Sequence, residues 1–408
     1  MPTSRSPHAR HRACVGVAVA VIVAGGATLG GCAADGQTAT TSLVPLVDPD
    51  DIPVATIAPT TTQATSSDPN SPLIPAIPEL ECGYADILPG GEITFVVGDR
   101  LFGASLDGSV VRCLTVLQPN QRGPAEWSPH GNRVLLNAAT LFDVQGTRAS
   151  GFDELNTRVQ WEFPNGDAVF GPTASNRTLV RREAVDPNQR TEITFLPTTV
   201  AAVSYPAGGA TIAAGQSTDG VAGVFIATTG AAPRPLVTTS DPALTINDVA
   251  ADAIGDLVYV LSDNGVSFRI HQVQLPSLAV TEVTSEQAPI QQLTTGPTSR
   301  AVAWKVGLCN NLTETRVRDD RTATPLTVGQ GTPLEGQSLS PVGWLDATRL
   351  VVSSRPLGCD GPADVWFWNL LDGSATLLVK NVEFAATRTV NELAAPLSID
   401  PAVQPPAI

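Results

Sequence analysis

Apolar and polar positions along this chain fall into short strand-like runs separated by turn residues. The stretch WSPHGNRVLL, Trp127 to Leu136, shows the unit: a Trp closes one run, Ser-Pro-x-Gly turns the chain, and an apolar run follows at once. Relatives of this unit recur around Trp161, Tyr205, Ala251, Thr295 and Trp344, at spacings of 34, 44, 46, 44 and 49 residues. Each continues alike, with a turn such as SDNG or LGCDGPAD, a third run such as VSFRIHQVQL or VWFWNLL, and a fourth such as AVTEVT or ATLLV. Asn-Gly, Asp-Gly and Gly-Gly steps between β-rich runs are hairpin signals. A period of about 40–50 residues with four strands per unit is that of a propeller blade. No long stretch of the mature chain keeps a helical period.

The pattern therefore predicts an all-β fold, a β-propeller, with seven blades favoured and six or eight left open by the short first spacing. GEITFVVGDRLFGASLDGSVVRCL supplies strands before the first good repeat, and VEFAATRTV near the C-terminus reads as a spare inner strand. A ring in which one terminus completes the blade begun by the other leaves no open edge at the join. In the Trp127 unit, Pro129 is expected to set φ in the hairpin and Gly131 to take a positive φ. Trp127 is expected to pack between sheets. Alternation places Trp366 and Trp368 on one strand face and Phe367 on the other; packing between blades is preferred to a carbohydrate or peptide surface.

WSPHGNRVLL resembles the Trp-Ser-Pro-Asp-Gly repeat (a WD40-like repeat) of TolB-like β-propellers, with His130 where that family usually has Asp. The units at Trp161 and Trp344 match in part. The resemblance spans residues 82–395 as an architecture and about ten residues as a motif. It implies a fold, and it carries over no partner and no catalytic residue.

The ends of the chain differ from the repeats. Arg5, Arg10 and Arg12 precede the apolar run ACVGVAVAVIVAGGATL, which stops at Leu29-Gly30-Gly31-Cys32. A basic start, a short apolar core and small residues at its end describe an export signal. LGGC resembles the lipobox of bacterial lipoproteins, which implies that Cys32 is acylated and the chain cut before it. Two or three acyl chains anchor firmly where one is marginal. His11 splits Arg10 from Arg12, so a twin-arginine signal is not supported. The Thr/Pro/Ala/Ser-rich stretch that follows has no aromatic residue and reads as a disordered tether, reaching between about 40 Å as a coil and about 150 Å if extended. The expected organisation is a leader over 1–31, lipidated Cys32 and tether over 32–80, the propeller over 81–395, and a Pro-rich tail over 396–408.

Composition narrows the partners. The formal charge is −15, and removal of the three leader arginines makes it about −18. Such acidity argues against nucleic acid and against broad adhesion to anionic lipid. High Ala, Gly and Pro with a single Met point to a GC-rich genome. With Cys14 in the leader and Cys32 at the lipid site, Cys82, Cys113, Cys309 and Cys359 remain. An even number in an exported chain favours disulfides. Cys82–Cys113 and Cys309–Cys359 are preferred, because each pair joins neighbouring parts of the repeat.

Candidate chemistry is sparse. The mature chain has two histidines, His130 in a turn and His271 in a third strand, and neither accompanies a nucleophile motif. GQGTPLEG, Gly329 to Gly336, has misspaced glycines for a phosphate loop and reads as a turn. Asp48, Asp50 and Asp51 lack the further ligands of a calcium loop. The sequons at Asn176 and Asn311 are read as chance. No catalytic, cofactor or metal residue is assigned. The expectation is a monomeric, non-catalytic binding or scaffold protein, lipid-anchored on the extracytoplasmic face of the bacterial cell membrane. Its partner would be an envelope protein or a cell-wall component. The alternative is a hydrolase or lyase with a site at the central channel.

Overall fold

The structure, a computed structural model, describes residues 68–408 apart from 69, 78–80, 83–91, 129–130, 138–139, 144–147, 151–159, 163–165, 174–177, 187, 195–197, 205–209, 218, 229, 240, 253–255, 297–300, 320–323 and 389–402. Cys32, the leader, the acidic knot at Asp48, and Pro129, His130, Asn176 and Tyr205 lie outside the described residues.

Seven four-stranded antiparallel sheets follow one another along the chain. Blade 1 begins with β1 (Glu92–Val97), β2 (Arg100–Ala104) and β3 (Val111–Val116). Blade 2 holds β4 (Ala125–Trp127), β5 (Arg133–Leu136), β6 (Thr140–Asp143) and β7 (Arg148–Ser150). Blade 3 holds β8 (Gln160–Trp161), β9 (Ala168–Pro172), β10 (Leu179–Glu183) and β11 (Arg190–Thr194). Blade 4 holds β12 (Thr198–Ser204), β13 (Ala210–Gln216), β14 (Ala222–Thr228) and β15 (Arg234–Thr238). Blade 5 holds β16 (Thr245–Ala251), β17 (Leu257–Asp263), β18 (Phe268–Gln274) and β19 (Ala279–Glu286). Blade 6 holds β20 (Ile290–Thr295), β21 (Val302–Val306), β22 (Glu314–Arg318) and β23 (Leu326–Thr327). Blade 7 holds β24 (Ser338–Trp344), β25 (Arg349–Arg355), β26 (Ala363–Asn369) and β27 (Ala375–Val382). The last strand, β28 (Phe384–Arg388), returns to pair with β1 and completes blade 1. The fold is a seven-bladed propeller closed by the expected C-terminal strand. The short first spacing reflects the short strands of blade 2, none longer than four residues.

Burial explains the runs. A second strand has a sheet neighbour on each side and another blade against each face, so it reads as continuous apolar sequence. AVFGP in β9 and VAWKV in β21 are buried at every position. The fourth strand β19 alternates with polar residues and is exposed at four of its eight positions. Each of the seven blade–blade interfaces carries its own apolar cluster among the described residues. Tyr259 and Trp304 meet between blades 5 and 6. Trp366 and Trp368 join Trp344 between blades 6 and 7, while Phe367 faces blade 1, as the alternation predicts. The core is thus seven wedges around an axis.

The repeated Trp position has a physical role in this ring. Indole Nε1 of Trp161 donates to the Glu126 carbonyl at 3.2 Å, and that of Trp344 to the Thr294 carbonyl at 3.3 Å. Each bond reaches the innermost strand of the preceding blade. At the equivalent Thr295, the hydroxyl donates to the Ala251 carbonyl at 2.7 Å. Trp127 Nε1 donates to Thr94 Oγ1 at 2.9 Å, and Thr94 in turn donates to the Ala386 carbonyl of β28. The motif is a latch between successive blades. In the turn after Trp127, Gly131 has φ +62° and donates its N–H to the Ser128 carbonyl, the expected hairpin geometry.

The join between the chain ends carries a polar cluster. Arg388 of β28 pairs with Glu92 of β1 at 3.2 Å, donates Nε to the Gly131 carbonyl at 2.6 Å and lies 5.0 Å over the Trp127 ring. Both charged side chains are nearly buried.

Two disulfides tie the ring, the same pairs that the sequence favours. Cys82–Cys113 holds the segment before β1 to β3, and Cys309–Cys359 links the loop after β21 to the loop after β25. One boundary moves. The stretch read as tether up to residue 80 is docked at its end: Leu73 and Ile74 donate their N–H groups to the carbonyls of Leu377 and Leu378 on β27. Ile74 is 3% exposed and joins the cluster between blades 7 and 1. The Pro-rich tail docks as well, with Ala407 bridging Thr238 on β15. Each segment covers the open edge of an outermost strand, where unpaired backbone groups would otherwise recruit another chain.

Candidate functional site

The first strands of blades 2 to 7, with β28 for blade 1, touch one another around the axis. An innermost strand has no sheet neighbour on its axial side, so side chains pointing that way meet a channel. Four of these strands carry a register irregularity at a similar place: β12 between Thr199 and Ala201, β16 between Ile246 and Asp248, β20 between Gln291 and Thr294, and β24 between Pro341 and Gly343. A bulge re-aims a side chain out of the regular alternation. Gln292 and Val342, which sit in two of these bulges, both line a cavity at the axis. Gln292 has φ +57° and donates Nε2 to the Pro341 carbonyl at 2.5 Å, so the side chain is tied across to the next blade.

The cavity measures about 340 Å³ and lies against β4, β20, β24 and β28, together with the loop that carries Cys359. Its wall combines apolar surface from Pro341, Val342, Val382 and Phe384 with Glu126, Glu383, Ser340, Ser353 and Arg355. Burial pushes the Glu126 carboxyl up to about 8, so it holds a proton at neutral pH. In that state it can both donate and accept a hydrogen bond. Arg355 donates Nε to the Gly361 carbonyl at 2.9 Å. Burial lowers its pKa, against the opposing pull of Asp360. Behind the wall Lys305 of β21 is 6% exposed. Its pKa is lowered by burial and by the nearby Arg355.

Chemically the cavity is a mixed cup, in which apolar side chains stand beside the neutral Glu126 carboxyl, the Glu383 carboxyl, a guanidinium, an amide and two hydroxyls. It suits a small polar group such as an amide or hydroxyl on an apolar stem. No group of His, Cys, Asp and Glu among the described residues has the arrangement of a metal site.

The sequence-level candidates lie elsewhere. His271 sits in β18, the third strand of blade 5, 9% exposed, with its pKa lowered chiefly by burial. Gly329 to Gly336 form successive turns between β23 and β24. Asn311 is exposed in the loop after β21. Of the described cysteines, Cys359 alone reaches the cavity wall. Glu126, Gln292, Arg355 and Lys305 were not legible as a site. Glu126 does carry one signal, since it immediately precedes the latch Trp.

No family model matches this chain. No curated protein matches it either. Solved structures do. One of two prolyl endopeptidases solved together aligns with a TM-score of 0.51 at 18% identity, over 73% of this chain and 49% of that one. Prolyl oligopeptidase B from Galerina marginata gives 0.54 at 11%, over 72% and 50%. TolB from Acinetobacter baumannii gives 0.43 at 16%, over 56% and 61%. The likenesses to the two peptidases show the fold alone. The chain spans about half the length of the two peptidases.

Proposed function

We propose that this protein is a lipid-anchored, extracytoplasmic propeller that binds an envelope protein or cell-wall component at the mouth of its axial cavity, without catalysing a reaction. The observation that carries this reading is the cavity wall, part apolar and part polar, on which the Glu126 carboxyl is kept neutral by burial. A neutral carboxyl at that place can bond a partner's side chain without first stripping water from a charge of its own. The LGGC sequence supports the anchor, and the Thr/Pro-rich stretch supports a site held away from the membrane.

A photoreactive residue at Val342, on the cavity wall, tests the binding in intact cells. The expected result is a discrete adduct at Val342 that does not form at Val266, an exposed position on blade 5. Equal labelling at both positions, or none, would overturn the site. For the anchor, labelled palmitate should be incorporated by the parent and not by Cys32→Ser.

A second reading, a hydrolase or lyase, is favoured by one feature. Glu126, Glu383 and Arg355 converge on the same cavity, and a carboxyl protonated near neutrality is suited to general-acid work. Turnover of a peptide or glycan that Glu126→Gln abolishes, with binding retained, would move the assignment to an enzyme.

A further inference from the structure

The Cys309–Cys359 bond sits in surroundings unlike those of its companion. Lys305 Nζ lies 2.7 Å from Cys359 Sγ and 3.5 Å from Cys309 Sγ, donating to both sulfurs. Lys305 comes from blade 6, and Arg355 approaches from blade 7 close enough to oppose its charge. Asp360, next along the chain from Cys359, acts on Arg355. Lys305 is thus the cation seated on this disulfide, with Arg355 near it. The two residues also differ in exposure: Cys309 is exposed and Cys359 is half-buried. In the other bond, Cys113 is 4% exposed and its sulfur faces the Thr115 carbonyl. The close approach of the two loops is built in. A Cβ on Gly358, which has φ +75°, would lie 2.6 Å from the Cys309 carbonyl oxygen.

Thiol–disulfide exchange is fast when the attacked sulfur is reachable and the departing sulfur leaves as a stabilised thiolate. An adjacent lysine lowers the pKa of a cysteine thiol. Exposure selects Cys309 as the sulfur attacked, and the ammonium selects Cys359 as the sulfur that departs. We propose that Cys309–Cys359 is a thiol-exchange site: a small thiol attacks Cys309, and Cys359 leaves as a thiolate paired with Lys305.

The step balances without another reagent. The incoming thiolate, its proton already given to solvent, forms a bond to Cys309 Sγ. The Cys309–Cys359 bond breaks, and its electron pair stays on Cys359 Sγ. The products are a mixed disulfide on Cys309 and a free thiolate on Cys359. Because Cys359 lines the axial cavity, exchange places a nucleophile on the cavity wall and releases the cross-link between blades 6 and 7. The inference is independent of the binding role proposed above.

Glutathione is the probe. The full chain, with free thiols alkylated beforehand, is incubated with glutathione at pH 7, quenched, alkylated with a second reagent and mapped by peptide mass. The expected result is glutathione on Cys309, the second reagent on Cys359, and Cys82–Cys113 intact, with opening about tenfold faster at the former bond. Lys305→Met should slow that opening about tenfold, and Lys305→Arg should restore most of it. A measurement without any variant runs alongside: in the reduced chain, alkylation of Cys359 should reach half-maximal rate at a lower pH than that of Cys113. Equal opening of the two bonds, glutathione on Cys359 rather than Cys309, the parent's rate in Lys305→Met, or matching alkylation profiles would each overturn the proposal.

Discussion

Glu126 shows how one residue can make the ring sensitive to pH. The folded state raises its pKa from 4.5 to about 8 by burial, so the folded chain prefers the protonated form. Its contribution is complete below pH 4.5 and is lost as pH rises towards 8. Glu92 acts in the same direction up to about 7, because burial outweighs the pull of Arg388. Glu126→Gln should therefore melt like the parent at pH 4 and above it at pH 9, by about 2 kcal/mol once solvent in the cavity is allowed for. Glu92 is present in both proteins, so the difference between their melting curves over pH 4–9 isolates Glu126. Curves that run parallel at all pH values would show that the carboxyl is not desolvated. The sequence gives little hint of this. Glu126 is one acid in an acidic chain, and only the neighbouring Trp ties it to the axis.

At the scale of the strand, the repeat was legible because each latch residue must sit at the same place in its blade. Trp127, Trp161 and Trp344 stand out in sequence, and Thr295 joins them only through the spacing. What the spacing conceals is the bond each one makes. Trp161→Phe and Trp344→Phe keep an aromatic ring between blades and delete one indole hydrogen bond each. Each should cost about 1 kcal/mol, and the double variant about the sum, since the two sites belong to different interfaces. Urea titration of the four proteins measures this; a double variant well below the sum would mean the interfaces communicate. The bulges were not legible. A bulge adds one residue to a strand of ordinary composition, and Gln292 at φ +57° has no glycine or asparagine to announce it. That is why Gln292 and Val342 entered the cavity unforeseen.

At the scale of the molecule, the closing strand was legible because VEFAATRTV had no other unit to belong to. The docked ends were not, because Leu73–Ile74 and Pro406–Ile408 sit in sequence that reads as solvated linker. Backbone pairing to an edge needs no particular side chains, so composition does not reveal it. The two kinds of end should fail differently. Removing residues 384–408 strips β28 and leaves the edge of β1 unpaired from Glu92 to Val96. It also removes Arg388, so Glu92 loses its ion pair and Trp127 its stacked guanidinium. Removing residues 403–408 alone uncovers the outer edge at Thr238 and takes away Val403 and Ile408, which pack against the cluster between blades 4 and 5. The longer deletion should yield soluble oligomers or aggregate, because an unpaired strand on a closed ring is a template for another chain. The shorter one should stay monomeric, with a melting temperature lower by a few degrees. Size-exclusion chromatography with thermal melts separates the cases. A monomeric, cooperatively melting chain without β28 would mean that six interfaces hold the ring and that the strand from the far end is dispensable.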